Sequence, residues 1–148
     1  MELRIFRKND LQNCTETFVS VFNDAPWNDE WDMEKATNYL ADFSKTPGFT
    51  GILAVEDTEI IGFIFGSRRR WWSGDEFFIN EMCVKGEQQQ KGVGKKLLNR
   101  LAEELEGSTI TSVSLLTDRG IPAEHFYKKN GFEEIERLVF LSRDVEKN

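Results

Sequence analysis

A glycine-containing turn stands between two regular elements near the middle of the chain. It reads Gln89-Gln90-Lys91-Gly92-Val93-Gly94-Lys95-Lys96 and follows an apolar, β-like run from Phe77 to Val84. Beyond it, apolar residues recur at helical spacing up to Leu105, and Gly107 closes the helix. Free N–H groups at a helix N-terminus bind phosphate oxygens, and glycine lets the anion approach, so the turn predicts a pyrophosphate site. The alternative is an ordinary strand-to-helix turn with a solvated basic face.

The charge around this turn also favours an anion. Between positions 85 and 100 the only acidic residue is Glu87, whereas the whole chain has 19 basic and 26 acidic residues and a net charge of -7. The acidic total argues against general affinity for nucleic acid or anionic membranes, and a cationic partner suits this surface better. The basic residues of the stretch are Lys85, Lys91, Lys95, Lys96 and Arg100.

Two common phosphate-binding motifs do not fit the turn. A P-loop needs glycine at the position of Gln89 and serine or threonine at the position of Lys96. A dinucleotide-binding fingerprint needs glycine where Leu97 stands. Both kinds of nucleotide site are therefore excluded.

The other apolar patterns predict an α+β order. Helical spacing follows Asp10 as far as Pro26 and follows Asp32 as far as Pro47. Two β-like runs, Gly51 to Val55 and Ile60 to Phe65, surround a hairpin turn. The remaining predicted elements are strands at Leu3 to Ile5 and Ser112 to Leu116, a short helix from Pro122 to Gly131 and a closing strand at Val139 to Leu141.

Length and composition describe one soluble domain. The chain has 148 residues, of which 39% are hydrophobic. Because no apolar run approaches the roughly 20 residues that span a bilayer, and Met1 to Asp10 lacks the apolar core of a signal peptide, we expect a cytoplasmic protein with no membrane partner. Two cysteines, Cys14 and Cys83, and the single His125 cannot build a disulfide framework or a cysteine–histidine zinc site.

Two segments together resemble a known family. The spacing Gln89-x-x-Gly92-x-Gly94 is similar to the signature of the GNAT superfamily of acyl-CoA-dependent N-acetyltransferases, in which Gln or Arg is followed by two residues, Gly, one residue, and Gly or Ala. Downstream, the run Ala123-Glu124-His125-Phe126-Tyr127-Lys128-Lys129-Asn130-Gly131-Phe132 resembles the family's A-x-x-F-Y-x-K-x-G-F segment. The resemblance covers Phe49 to Phe140, and the first 45 residues match in element order only.

The resemblance implies a fold and a cosubstrate. The expected fold is α+β, with a mixed, mostly antiparallel sheet that is splayed at its centre next to Val84 and flanked by helices. A single N-acetyltransferase domain is expected over residues 1–148, with acetyl-CoA as cosubstrate and no metal. Backbone groups of Met82, Cys83 and Val84 would bind the pantetheine arm like an added strand. The residues expected at the diphosphate are Gln89, Gln90, Lys91, Gly92, Val93, Gly94 and Lys95.

The resemblance also assigns a general acid. Tyr127 matches the tyrosine that protonates the leaving thiolate in many members. A phenol with a pKa of about 10 is close enough to a thiol of about 8.5 for this transfer. A half-buried tyrosine at a helix end is the alternative. Many members have asparagine where this chain has Asp118, and we assign that position no role.

Glu81 is the leading candidate for the base that takes a proton from the amine acceptor. The run from Ile79 to Val84 resembles strands of polyamine and aminoglycoside acetyltransferases that carry a carboxylate there. Regular alternation would place Glu81 on one apolar face with Phe77, Ile79 and Cys83. Burial on that face would raise its pKa. In the alternative reading, Glu81 orients the acceptor or pairs with a cation.

An acidic segment precedes the second predicted helix. Residues 24–34 contain five acids and no base, interleaved with Trp27 and Trp31. In the family's fold this segment would lie near the acceptor, where acids and tryptophan faces hold an ammonium group, although a solvated loop anchored by tryptophans is the commoner finding. For Arg68-Arg69-Arg70-Trp71-Trp72 we expect an exposed hairpin tip.

The predicted function is transfer of an acetyl group from acetyl-CoA to a primary amine of a small, cationic acceptor by direct attack. Two alternatives stay open: acetylation of protein lysines or N-termini, and a sensor module that binds acyl-CoA without transferring the acyl group. Homodimers are common in the family, but no residue here requires one.

Overall fold

The computed structural model describes residues 1–147 and divides the chain into two compact units, Met1–Thr117 and Asp118–Asn148. The predicted single domain over residues 1–148 stays a prediction, and the two units are described separately. Within the described residues, no helix is both long enough and apolar enough to cross a membrane.

The first unit is built on a five-stranded sheet whose spatial order follows the sequence, β1-β2-β3-β4-β5. The first three strand pairs are antiparallel, and β4 and β5 are parallel, as the mixed, mostly antiparallel prediction requires. The strands are β1 (Glu2–Ile5), β2 (Phe49–Glu56), β3 (Glu59–Arg69), β4 (Asp75–Val84) and β5 (Ile110–Ser114).

Three helices accompany this sheet. They are α1 (Leu11–Phe22), α2 (Met33–Ser44) and α3 (Val93–Leu105), with short 3-10 turns at Lys8–Asp10 and Gly86–Gln88. Helix α2 begins where the sequence predicts, because the Asp32 carboxylate accepts a hydrogen bond from the Lys35 N–H at 2.7 Å. Asp10 directly precedes α1, but its side chain makes no capping hydrogen bond to that helix. Its carboxylate accepts from Arg4 at 2.8 and 2.9 Å and from the Arg7 N–H at 2.7 Å, and so ties β1 to the start of α1.

Helices cover both faces of the sheet. On one face α1 and α2 form the main apolar core with the sheet, and its members include Cys14, Phe18, Leu40, Phe63, Phe65 and Cys83. On the other face lies α3, where a Cβ added at Gly62 of β3 would stand 3.3 Å from Leu97. Along β3 from Gly62 onward, the side chains therefore alternate, with Phe63 and Phe65 facing α1 and α2 and Gly62 facing α3.

A β-bulge interrupts the pairing of β3 with β4. Phe65 is paired with Glu81, but the next residue of β3, Gly66, is paired with Ile79, so Asn80 is an extra residue without a partner. A Cβ at Gly66 would lie 2.4 Å from the Phe77 ring, which places Phe77 on the α3 face together with Gly66 and Ile79. The prediction that Glu81 shares a face with Phe77 and Ile79 is therefore wrong. The bulge reverses the alternation, and Glu81 faces α1 and α2.

The sheet opens beyond this bulge. The pairs between β4 and β5 run from Asp75 to Phe78 and stop at Phe78 opposite Ser114. From Ile79 to Val84 the strand β4 has β3 on one side, and within residues 1–117 it has no strand on the other. This is the predicted splay at the centre of the sheet, and it leaves the backbone edge of Met82 to Val84 without a strand partner.

The described part of the second unit, residues 118–147, contains one helix, α4 (Pro122–Lys129), with proline in its first turn as the sequence predicts. The predicted strand at Val139 to Leu141 is wrong, since that stretch has no strand hydrogen bonding and its Val139 and Leu141 side chains are 80% and 83% exposed. A three-residue apolar run predicts a strand only weakly, because a strand also needs a hydrogen-bonded neighbour.

Candidate active site

Within the described residues, the side chain of the candidate base Glu81 makes one hydrogen bond, and its partner is Tyr39. The hydroxyl of Tyr39, in the middle of α2, donates a hydrogen bond to Oε1 of Glu81 on β4. The two residues are 42 positions apart in the sequence, so only the packing of α2 on the sheet brings them together. Tyr39 was missed by the sequence analysis. Its position three residues after Ala36 and four before Phe43 was the available signal.

An aromatic cluster surrounds Tyr39. Its ring lies 4.7 Å from the ring of Phe43, 5.1 Å from Trp31 and 5.6 Å from Phe18, measured between centroids. These three neighbours come from α2, the segment before it and α1. Such contacts restrict the tyrosine ring, and they also keep water from its inner edge.

Burial sets the charge state of both groups. Loss of water around the Glu81 carboxyl raises its pKa to about 7, although the Tyr39 hydrogen bond opposes this rise and the charge of Asp29 adds to it. Burial, together with the neighbouring Glu81 carboxylate, also raises the pKa of the Tyr39 phenol above its ordinary value. Near neutral pH Glu81 can therefore both accept and release a proton, while Tyr39 stays protonated and acts as a donor.

The acidic segment between α1 and α2 is held in place by its own polar contacts. The Asn23 side chain accepts from the Trp31 N–H and donates to the Trp31 carbonyl, both at 2.9 Å. The Trp31 indole N–H donates to Asp29 at 3.1 Å, and Trp27 packs on Phe22. Both tryptophans therefore anchor the segment, as expected for a solvated loop held by tryptophans. An open depression lined by Asp29, Glu30 and Trp31 lies on its surface.

The glycine turn has the backbone conformation of an anion-binding helix start. Gly92 precedes α3 with φ 83°, and Gln90 also has a positive φ of 66°. A Cβ at Gly92 would meet nothing within 4 Å, so the glycine is required by its dihedral angle. Within residues 1–147 the N–H groups of Val93, Gly94 and Lys95 have no acceptor, which leaves them available to an anion.

The basic residues near this turn fall into two groups. Lys85 bonds Glu59 at 2.7 Å and Arg100 bonds Glu104 at 3.3 Å, so both are neutralised locally. The other three side chains are exposed and form no ion pair in the part of the chain that is described, and they are Lys91, Lys95 and Lys96. Their positive charge surrounds the start of α3.

The end of β4 is linked to the turn. Gln89, the first residue of the motif, donates from Nε2 to the carbonyl oxygen of Val84 at 2.9 Å. The open edge of β4 and the start of α3 are thus held in a fixed relation. Cys83 is 5% exposed, and burial raises the pKa of its thiol well above the ordinary value, so this thiol is unreactive.

Tyr127 lies in α4 of the second unit. Its ring contacts Phe126 at 5.3 Å and Phe132 at 5.5 Å between centroids. The neighbouring His125 is exposed. The local framing that the sequence predicts is therefore present, and the role of Tyr127 stays a prediction.

The arginine and tryptophan run lies at the connection between β3 and β4. Trp71 and Trp72 are 66% and 88% exposed, which confirms the predicted hairpin tip. Arg69 lies over the Phe78 ring at 3.9 Å, and the Asp75 carboxylate accepts from the Trp71 N–H at 3.0 Å. These contacts shape the tip and lie outside the surroundings of Glu81.

Comparison with known proteins agrees with this architecture. The profile of the acetyltransferase (GNAT) family matches residues 11–132. An integron cassette protein of V. cholerae has a TM-score of 0.82 at 19% identity, covering 97% of this chain and 92% of that one. An aminoglycoside acetyltransferase from an uncultured soil metagenomic sample, solved with sisomicin, has a TM-score of 0.76 at 18% identity over 98% and 96% of the two chains. The aminoglycoside N-acetyltransferase AAC(6')-Iy, solved with CoA, has a TM-score of 0.73 at 18% identity over 97% and 100%.

Proposed function

The chain belongs to the acetyltransferase (GNAT) family, and from that premise we propose that it moves an acetyl group from acetyl-CoA to a primary amine of a small, cationic acceptor. The observation that carries this proposal is the position of Glu81. It is a partly buried carboxyl with a pKa of about 7 on the stretch of β4 that has no second strand beside it. A base with this pKa is suited to taking a proton from an ammonium group near neutral pH.

The cosubstrate has a matching surface in the first unit. The pantetheine arm would pair with the open edge of β4 at Met82, Cys83 and Val84. The diphosphate would take the unpaired N–H groups at the start of α3, with positive charge from Lys91 and Lys95 nearby. The bond from Gln89 to the Val84 carbonyl supports this assignment, since it keeps the two parts of the surface in register.

An ammonium acceptor loses two protons in this reaction, and the CoA thiolate gains one. Glu81 takes a proton from the acceptor ammonium, and the freed nitrogen lone pair attacks the thioester carbonyl carbon. A carbon–nitrogen bond forms, the carbon–sulfur bond breaks, and the departing CoA thiolate takes a proton from Tyr127. The attacking nitrogen then loses its second proton, which restores the Tyr127 phenol, and Glu81 releases the first proton to solvent. Backbone N–H groups beside the thioester stabilise the negative charge on its oxygen in between.

The acceptor class follows from charge. Glu81, Asp29 and Glu30 stand on or near the surface formed by α2 and the segment before it, and Asp29 is close enough to Glu81 to raise its pKa. Anionic and aromatic groups together favour an ammonium ion. The aminoglycoside acetyltransferases among the structural neighbours make aminoglycosides a reasonable member of the panel to be tested.

The test is a coupled thiol-release assay with acetyl-CoA and a panel of amines, combined with calorimetry of acetyl-CoA alone. The panel contains polyamines, sisomicin and other aminoglycosides, amino acids, and basic peptides with free lysines or N-termini. Turnover of a small amine supports the proposal, and turnover of peptides alone would replace it with protein acetylation. Binding of acetyl-CoA without turnover of any amine would favour a sensor, and absence of binding would overturn the cosubstrate assignment.

A further inference from the structure

Tyr39 has no part in the reaction as written above, although it makes the only hydrogen bond to the Glu81 carboxyl group within residues 1–147. A buried tyrosine hydroxyl usually takes a hydrogen-bond partner. Here that partner is the carboxyl group of the proposed base.

We propose that Tyr39 is the positioning residue of Glu81: its hydroxyl holds Oε1 and thereby reserves Oε2 for the proton of the acceptor. This inference depends on the proposed role of Glu81 and extends it to α2. Tyr39 itself neither takes the proton nor touches the thioester in this scheme.

The direction of the hydrogen bond supports this role. The phenol stays protonated because burial and the Glu81 charge raise its pKa, so Tyr39 donates and Glu81 accepts. In the described part of the chain the second oxygen, Oε2, has no hydrogen-bond partner. A carboxylate held at one oxygen presents the other in a single orientation, which is the geometry that proton transfer requires.

The surroundings of Tyr39 make the arrangement rigid. Rings of Phe18, Trp31 and Phe43 contact the tyrosine from three directions. Because these contacts involve the ring and not the hydroxyl, phenylalanine at position 39 keeps the packing and removes only the donor. The chain therefore allows the hydrogen bond to be tested separately from the core.

Few other titratable groups influence Glu81. From the segment between α1 and α2, Asp29 raises its pKa. Two cysteines are also nearby: Cys83 lies on the same strand as Glu81, and Cys14 of α1 lies next to Cys83. Burial raises the pKa of both thiols, so they stay neutral. The paired residue on β3, Phe65, is apolar. The effect of a substitution at Tyr39 can therefore be measured as a shift in the titration midpoint of the Glu81 carboxyl.

The experiment is a pH titration of the Glu81 carboxyl by NMR in protein made with isotope-labelled glutamate, with the Glu81→Gln variant assigning the signal. The native midpoint is expected at about 7. In Tyr39→Phe the carboxylate loses a donor, so the midpoint is expected to rise by about one pH unit. Phe43→Leu is the matched control, because it disturbs the same aromatic cluster and keeps the hydroxyl. Its midpoint is expected to stay within a few tenths of a unit of the native one.

A second measurement covers the case in which Tyr39→Phe does not fold. The sequence contains two tyrosines, so in a Tyr127→Phe background ring-fluorinated tyrosine enters position 39 alone. Fluorination makes the phenol a stronger donor, and the Glu81 midpoint is then expected to fall. A midpoint that moves in neither experiment, or that moves equally in Phe43→Leu, overturns the inference.

The outcome is separable from that of the proposed function. If Glu81→Gln retains full turnover, Glu81 is not the base and the proposed mechanism is at fault, whatever the titration shows. If Glu81→Gln is impaired while Tyr39→Phe leaves both the titration and the acid limb of the rate profile unmoved, only the role of Tyr39 fails.

Discussion

Glu81 lies opposite Phe65 in the ladder between β3 and β4, on the face of the sheet that α1 and α2 cover. An ionisable group on this apolar face has lost much of its water, and this is the main cause of its raised pKa. The same placement brings it within reach of α2 and of the acidic segment before that helix.

Replacing the carboxyl at position 81 tests the base. Glu81→Gln is expected to lower kcat/KM by about 100-fold or more, the usual contribution of a positioned base. In the native enzyme kcat/KM should rise with pH through about 7, since the carboxylate is the active form, and the variant should lose this limb. Rate profiles between pH 5 and 9 with the best amine of the panel measure both effects, and an unchanged acid limb in the variant would contradict the assignment.

The same group links stability to pH. The Glu81 pKa is raised from 4.5 in the unfolded chain to about 7 in the folded one, so the folded state holds its proton more tightly. Its stabilising contribution is complete below pH 4.5 and is lost as pH rises through about 7. Relative to Glu81→Gln, the native protein should lose about 1 to 3 kcal/mol of unfolding free energy between pH 4.5 and 8. Urea unfolding of both proteins across this range gives the difference, and parallel curves would contradict the burial of Glu81.

Substituting Gly66 tests the packing of β3 against β4 next to the bulge. A methyl group there would lie 2.4 Å from the Phe77 ring and 2.5 Å from the Phe78 carbonyl oxygen, and the backbone atom cannot move aside. Gly66→Ala should cost about 1 to 3 kcal/mol of unfolding free energy. Gly86→Ala is the control, because a Cβ there meets nothing within 4 Å and the change should be within about 0.5 kcal/mol of neutral. Equal stabilities of the two variants would show that β4 is not packed in this way.

Substituting Gly92 tests whether the turn before α3 binds the diphosphate, and Gly107, which has a similar φ, is the control. Gly92 and Gly107 stand at opposite ends of α3 with φ of 83° and 76°, and both have open space around a Cβ. Alanine should cost each about 1 kcal/mol of stability through backbone strain. Only Gly92→Ala should also weaken acetyl-CoA binding, by about tenfold or more, because it alone alters the N–H groups offered to the diphosphate. Calorimetry measures the acetyl-CoA affinity of both variants. Equal affinities would show that the diphosphate does not bind at this turn.

Replacing Tyr127 by phenylalanine tests its proposed role as the general acid. Tyr127→Phe should reduce kcat by about tenfold or more, with little change in the KM for acetyl-CoA, since the hydroxyl acts on the leaving thiolate and not in binding. His125→Ala, an exposed change in the same helix, should leave kcat within about twofold. Steady-state kinetics of the two variants provide the comparison. A full native kcat in Tyr127→Phe would assign the proton to water.

The sequence predicted the elements well and the contacts between them less well. Asp32 and Gly92 act through local backbone chemistry, so their roles at the starts of α2 and α3 are readable from neighbouring residues. The bulge at Asn80 is different, because an extra residue leaves no mark in an apolar run and shows only in the pairing with β3. Tyr39 was missed for a related reason, since its partner is 42 residues away. At Val139 the error is the opposite one: the sequence predicts a strand that does not form, because this exposed apolar run has no neighbouring strand to pair with.

The extra residue at Asn80 divides β4 into two stretches that can be altered independently. Substitutions at Phe77 and Ile79 change the lining toward α3, whereas substitutions at Glu81 and Cys83 change the wall shared with Tyr39. Packing changes on the α3 side, at Phe77 and Ile79, can therefore be made without altering the wall that carries Glu81. A mutagenesis plan that counts every other position from Asp75 onward, without allowing for the bulge, would combine the two linings.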